Sequence, residues 1–218
     1  MHGGDDGELT AYGYPQDHVF DWTKAELESR IDIGEGERMP TLEALLQRCA
    51  ANKQILLNIE LKAPSSEAVA SRYDKSLAAH IVCNLINKYR IASQTMISSF
   101  DTNVIKAVHI ACEGKRDFVV QSLRNFDGGP DPSDYAIDES MQGVNLIYSQ
   151  LSRTLVDRLR SIDQLLGVWY WTEQSQENAL MYSRVFHTCA PIDLFYSDRP
   201  LEAIKARSTI YEQCAISE

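Results

Sequence analysis

Short runs of branched apolar residues alternate along this chain with longer stretches in which apolar positions recur every three or four residues. The first pattern predicts strands and the second amphipathic helices, because side chains repeat every second residue on a strand and every 3.6 on a helix. The clearest run covers residues 54–62, where Ile55, Leu56, Leu57, Ile59 and Leu61 predict a strand buried on both faces of a parallel sheet. Asn58, Glu60 and Lys62 interrupt it at every second position. All three therefore share a face, and Glu60 and Lys62 stand together at the C-terminal exit.

Residues 1–15, rich in Gly and Asp, read as a loop, and residues 22–31 as a short helix. Thr41 is placed to cap a second helix, with Glu43 complementing the dipole and Leu42, Leu45, Leu46 and Cys49 on one face. Residues 76–89 form a longer amphipathic helix, with Leu77, Ile81 and Leu85 on one stripe and Val82, Ile86 and Tyr89 beside it. Further strands are expected over residues 95–100, 118–123, 143–148, 165–171 and 192–196. Asp101 and Ser152 cap the helices after two of them, residues 175–186 read as helix, and Pro200 opens the last one. The loop over residues 125–134, made of Gly, Pro and Asp, is long enough to fold over a site. Six strands, each followed by helix or loop, predict an α/β fold with a parallel sheet.

Composition narrows the chemistry. A chain of 218 residues with 44% hydrophobic content can build a substantial core. A net charge of -10 and a pI near 5.0 argue against a nucleic-acid surface, which needs clustered Lys and Arg. The cysteines at 49, 83, 112, 189 and 214 show no Cys-x-x-Cys and no zinc spacing, so reduced thiols and a cytoplasmic location are expected. No run approaches the roughly eighteen apolar residues of a membrane span, and no basic segment leads into an apolar one at the N-terminus. Elbow-serine, dinucleotide and phosphate-loop motifs are absent. What remains is Glu60 beside Lys62, two charges that an apolar strand carries inward only to bind each other or a ligand.

Four segments, Ile59 to Lys62 (I-E-L-K), Ser98 to Asp101 (S-S-F-D), Trp171-Thr172 and Ser197 to Pro200 (S-D-R-P), fall in this order at successive strand ends. Together with the P-T-L-E run at Pro40 to Glu43, they resemble the glycerophosphodiester phosphodiesterase family. The resemblance covers the whole chain and implies a TIM-type (β/α)8 barrel that cleaves glycerophosphodiesters to an alcohol and glycerol 3-phosphate. It makes Glu60 a ligand of a divalent metal ion, Mg2+ or Ca2+, and gives Lys62 the task of neutralising charge on the phosphoryl oxygens. His2 matches the family's second histidine, a general acid or base, and Trp171 lines the substrate pocket. The family's opening strands, with a His-Arg pair and two further metal ligands, have no counterpart here, and its His-Asp is His2-Gly3. The expectation is thus a single, N-terminally truncated domain over residues 1–218, an incomplete barrel with about six of eight strands and an open edge suited to self-association. Two other functions fit the same residues: a catalytically inactive partial barrel serving as a binding or assembly module, and a barrel enzyme using Lys62 as a Schiff-base amine.

Overall fold

Helix starts in this chain are set by side chains that accept the first free backbone N–H groups. In the computed structural model, which describes residues 8–64, 67–112, 119–124, 142–169, 182 and 192–216, Thr23 accepts from the Glu26 amide at 3.3 Å to open α1 (Lys24–Arg30). Thr41 accepts from Ala44 at 3.1 Å to open α2 (Leu42–Ala50), as its position predicted. Asp74 opens α4 (Lys75–Tyr89), Asp101 opens α5 (Thr102–Ala111) and Ser152 opens α6 (Arg153–Ser161) in the same way. A single turn of helix, α3 (Glu67–Ala70), precedes α4, and α7 (Pro200–Ile216) begins at its proline.

The chain divides into two compact units, Met1–Val120 and Gln121–Glu218. The first opens with an antiparallel pair, β1 (Glu8–Leu9) and β2 (Tyr14–His18), where the sequence had suggested only loop. Leu9 is completely buried, and that burial fixes a segment whose composition is otherwise that of a turn. Next come β3 (Leu57–Glu60) and β4 (Thr95–Ser99), which run parallel with Glu60 opposite Ser98.

Strand β3 is shorter than its apolar run. Ile55 and Leu56 lie outside it and are exposed, Leu56 at 74%. The Gln94 side chain explains this, because its Nε2 donates to the carbonyl oxygens of both Asn52 (2.8 Å) and Ile55 (2.9 Å), and Lys53 Nζ donates to its Oε1 at 3.2 Å. Those bonds hold residues 52–55 as a turn below the sheet. The expected burial on both faces also fails: Ile59 is buried, whereas Asn58 and Glu60 line a polar face.

Helix α4 corrects a second expectation. Its buried stripe is Ala79, Val82, Cys83 and Ile86, while Leu77 and Ile81 are exposed. Apolar residues cover more than one face of this helix, and packing against α5 selects the face carrying the small Ala79 and Cys83. There Cys83 is bonded to Cys112, just beyond α5, with a Cα–Cα distance of 5.5 Å. Cys214 is also disulfide-bonded, and Cys49 is the free cysteine among the described residues. The expectation of reduced thiols is thereby overturned. Its failure has a simple cause, since the paired cysteines stand 29 residues apart and only helix packing brings them together. Closing a loop of that length constrains the unfolded chain by roughly 3–4 kcal/mol. A chain carrying both Cys83→Ala and Cys112→Ala is expected to melt roughly 10 °C lower than wild type by circular dichroism.

From Gln121 of β5 (Val119–Arg124) onward, in the second unit, β5, β6 (Gly143–Ile147), β7 (Leu165–Trp169) and β8 (Leu194–Phe195) run parallel, each paired with the next in sequence. Leu146, Leu166 and Val168 form one face of these strands and pack with Leu155, Val156 and Leu159 of α6 and Ala203 of α7. Among the described residues β3 to β8 form one parallel series, with helices following β3, β4, β6 and β8, which is the pattern of a (β/α) barrel. The loop expected over residues 125–134 and most of the helix expected over residues 175–186 lie outside the described residues.

Candidate functional site

Each unit has a polar strand face opposite the face that its helices cover. In the first unit that face is built at the exit of β3. Asn58 and Glu60 stand on it, and the Ser98 hydroxyl donates to Asn58 Oδ1 at 2.9 Å from the neighbouring strand. Glu60 is half-buried, with its Oε1 enclosed, and Lys62 follows as a second half-buried charge. Glu60 is the last residue of β3, and Lys62, expected within the strand, lies two residues beyond its end. His2 and Trp171 lie outside the described residues.

Beyond Glu60 the backbone is held from β4. The Leu61 amide donates to the Ser98 carbonyl at 2.8 Å, and the Ser99 hydroxyl donates to the Leu61 carbonyl at 2.6 Å. The Asp101 amide in turn donates to Ser99 Oγ at 3.1 Å. Asp101 also caps α5 by accepting from Asn103 N at 2.8 Å, and its other oxygen accepts from Lys75 Nζ at 2.5 Å. Burial opposes ionisation of Asp101, but the Lys75 ammonium and the cap amides outweigh it and hold the carboxyl below the usual aspartate range. Tyr73 is pushed the other way, up from its ordinary value, by burial and by the charge on Asp101. Asp101 is thus an anion anchoring the β4–α5 corner.

A hard divalent cation takes six or more oxygen ligands. Among the described residues no three His, Cys, Asp or Glu side chains converge on one point. Glu60 is a single carboxylate at this exit, so the described residues do not by themselves make up a divalent-metal site.

The polar face of the second unit went unmarked in the sequence. Asn145, in the middle of β6, is completely buried, and its Nδ2 donates to the Tyr196 hydroxyl at 3.1 Å. Its Oδ1 is enclosed with no hydrogen-bond partner among the described residues. Opposite it in register is Gly167 of β7, where a Cβ would fall 1.6 Å from that oxygen. The one available signal was the alternation G-V-N-L-I, a lone amide inside a strand otherwise suited to full burial.

No family model matches the sequence, and no curated protein does either. Solved structures do match. A protein of Galdieria sulphuraria, described provisionally as a glycerophosphodiester phosphodiesterase, superposes with a TM-score of 0.76 at 21% identity over 95% of this chain and 79% of its own. A glycerophosphodiester phosphodiesterase of Parabacteroides distasonis gives 0.66 at 22% identity, over 90% and 73% of the two chains. One from Silicibacter pomeroyi, again provisionally described, gives 0.69 at 18%, over 96% and 77%. With parallel strands, intervening helices and superposition along nearly its whole length, this chain has the fold of the glycerophosphodiester phosphodiesterases.

Proposed function

We propose that the chain is a phosphoric diester hydrolase that cleaves glycerophosphodiesters to an alcohol and glycerol 3-phosphate. The observation that carries this reading is the placement of Glu60 and Lys62 at the C-terminal exit of a parallel strand, the end where barrels of this architecture build their active sites. A phosphodiester is anionic and repels nucleophiles, so cleavage needs positive charge on its nonbridging oxygens and a proton for the leaving alkoxide. Lys62 supplies a compact cation for the first task. The second is assigned to His2, and Trp171 is proposed to pack on the glycerol or alcohol group.

A requirement for Mg2+ or Ca2+ belongs to the same proposal, with Glu60 as the described residue that would ligate it and the other ligands coming from elsewhere. Such an ion would supply Lewis-acid charge to the phosphoryl oxygens. The substrate is a small molecule, and no described helix is long and apolar enough to cross a membrane. The cytoplasmic location expected from the sequence rested on reduced thiols together with the lack of a signal or membrane-spanning segment, and against the first of these the Cys83–Cys112 bond favours an oxidising compartment.

The second reading, an inactive partial barrel acting as a binding module, draws support from the missing ligand cluster among the described residues. Glycerol 3-phosphate release from glycerophosphocholine, measured with Mg2+, with Ca2+ and with chelator, separates the two. Turnover that chelator abolishes is expected. A folded chain with none at any metal concentration leaves the binding module standing.

A further inference from the structure

We propose that Ser99 is a positioning residue for Glu60 and Lys62, an inference that rests on the hydrolase reading above and assigns a role to a side chain that does not itself meet substrate. The pairing of β3 with β4 ends at Glu60 opposite Ser98, yet the two charges assigned to chemistry lie on either side of Leu61. Both polar groups of Leu61 are held from β4, its N–H by the Ser98 carbonyl and its C=O by the Ser99 hydroxyl. The second bond extends the ladder by one rung, made by a side chain where the backbone of β4 has begun to turn away.

A peptide group is planar and rigid. Fixing the Leu61 carbonyl therefore fixes the nitrogen and Cα of Lys62 as well, and with them the direction in which the lysine leaves the strand. The hydroxyl is itself oriented. It accepts from the Asp101 amide at 3.1 Å, which turns its own hydrogen toward Leu61, and Asp101 is anchored by Lys75 and by the α5 amides. Ser99 is completely buried, so water does not compete for these bonds. The corner at the end of β4 thus holds the exit of β3, and an anionic substrate meets a carboxylate and an ammonium at a set separation.

The test compares wild type, Ser99→Ala and Ser99→Thr in three measurements: kcat and KM for glycerophosphocholine, affinity for glycerol 3-phosphate, and melting temperature. Ser99→Ala is expected to lower kcat about ten- to a hundred-fold, the scale on which small displacements act, and to weaken glycerol 3-phosphate binding. Ser99→Thr keeps the hydroxyl and restores both. A Ser99→Ala chain that melts lower but keeps wild-type kcat, KM and product affinity would overturn the proposal, because the hydroxyl would then serve stability alone. Should Ser99→Ala fail to fold, Ser99→Cys, with similar volume and only a weak donor, carries the same comparison. Product binding distinguishes the two levels of inference. A wild type that binds glycerol 3-phosphate without hydrolysing the diester refutes the hydrolase and leaves Ser99 to be judged on binding, whereas one that does neither refutes both.

Discussion

Glu60→Gln is expected to lower glycerophosphocholine turnover by about a hundred- to a thousand-fold, the range seen when a single electrostatic contact to a reacting group is lost. The melting temperature should stay within a few degrees of wild type. Glutamine keeps the length and shape of the side chain on the polar face of β3, so the apolar contacts of Ile59 on the opposite face and the pairing with β4 are untouched. Only the charge goes, and with it the stronger hold that a carboxylate has on a hard cation than an amide oxygen does. Initial rates at saturating Mg2+ beside a thermal melt decide the matter. If Glu60 and Lys62 were only a structural ion pair, the substitution would lower the melting temperature and leave turnover intact. Wild-type activity in a stable Glu60→Gln chain removes Glu60 from the site.

Gly167→Ala is expected to destabilise the chain about as much as loss of the Cys83–Cys112 bond. The added Cβ would stand 1.6 Å from Asn145 Oδ1 and 2.7 Å from Asn145 Cγ, so the amide has to move. It has nowhere easy to go, being completely buried and bonded to the Tyr196 hydroxyl. Overpacking costs about 1–3 kcal/mol, and breaking the amide–hydroxyl bond inside the sheet adds about 1 kcal/mol or more. The sum predicts a fall of roughly 5–15 °C in melting temperature for a chain of this size. A double-mutant cycle makes the cause specific. In an Asn145→Ala background the same glycine change should cost at least about 1 kcal/mol less, since the clashing side chain is gone. Equal cost in both backgrounds means the glycine is required for another reason.

Residue pattern alone determined most of the secondary structure. Thr41, Asp101 and Ser152 are caps that act on amides two or three residues away, and Asn58 and Glu60 share a face of β3 because strand geometry has a period of two. These are local relations, fixed by chemistry within a few residues, and a sequence displays them directly. The limits of β3 and the buried face of α4 were not legible in the same way. Ile55 and Leu56 are as apolar as Leu57, and it is the Gln94 side chain, some forty residues on, that draws their segment into a turn. Leu77 and Ile81 are more apolar than Ala79 and Cys83, yet close packing against α5 favours the smaller residues. The disulfide between Cys83 and Cys112, the Ser99 bond to Leu61 and the seating of Asn145 against Gly167 likewise join residues 22 to 38 positions apart. Each depends on which surfaces meet, and that is decided by burial and steric fit summed over the folded chain, not by any stretch read by itself.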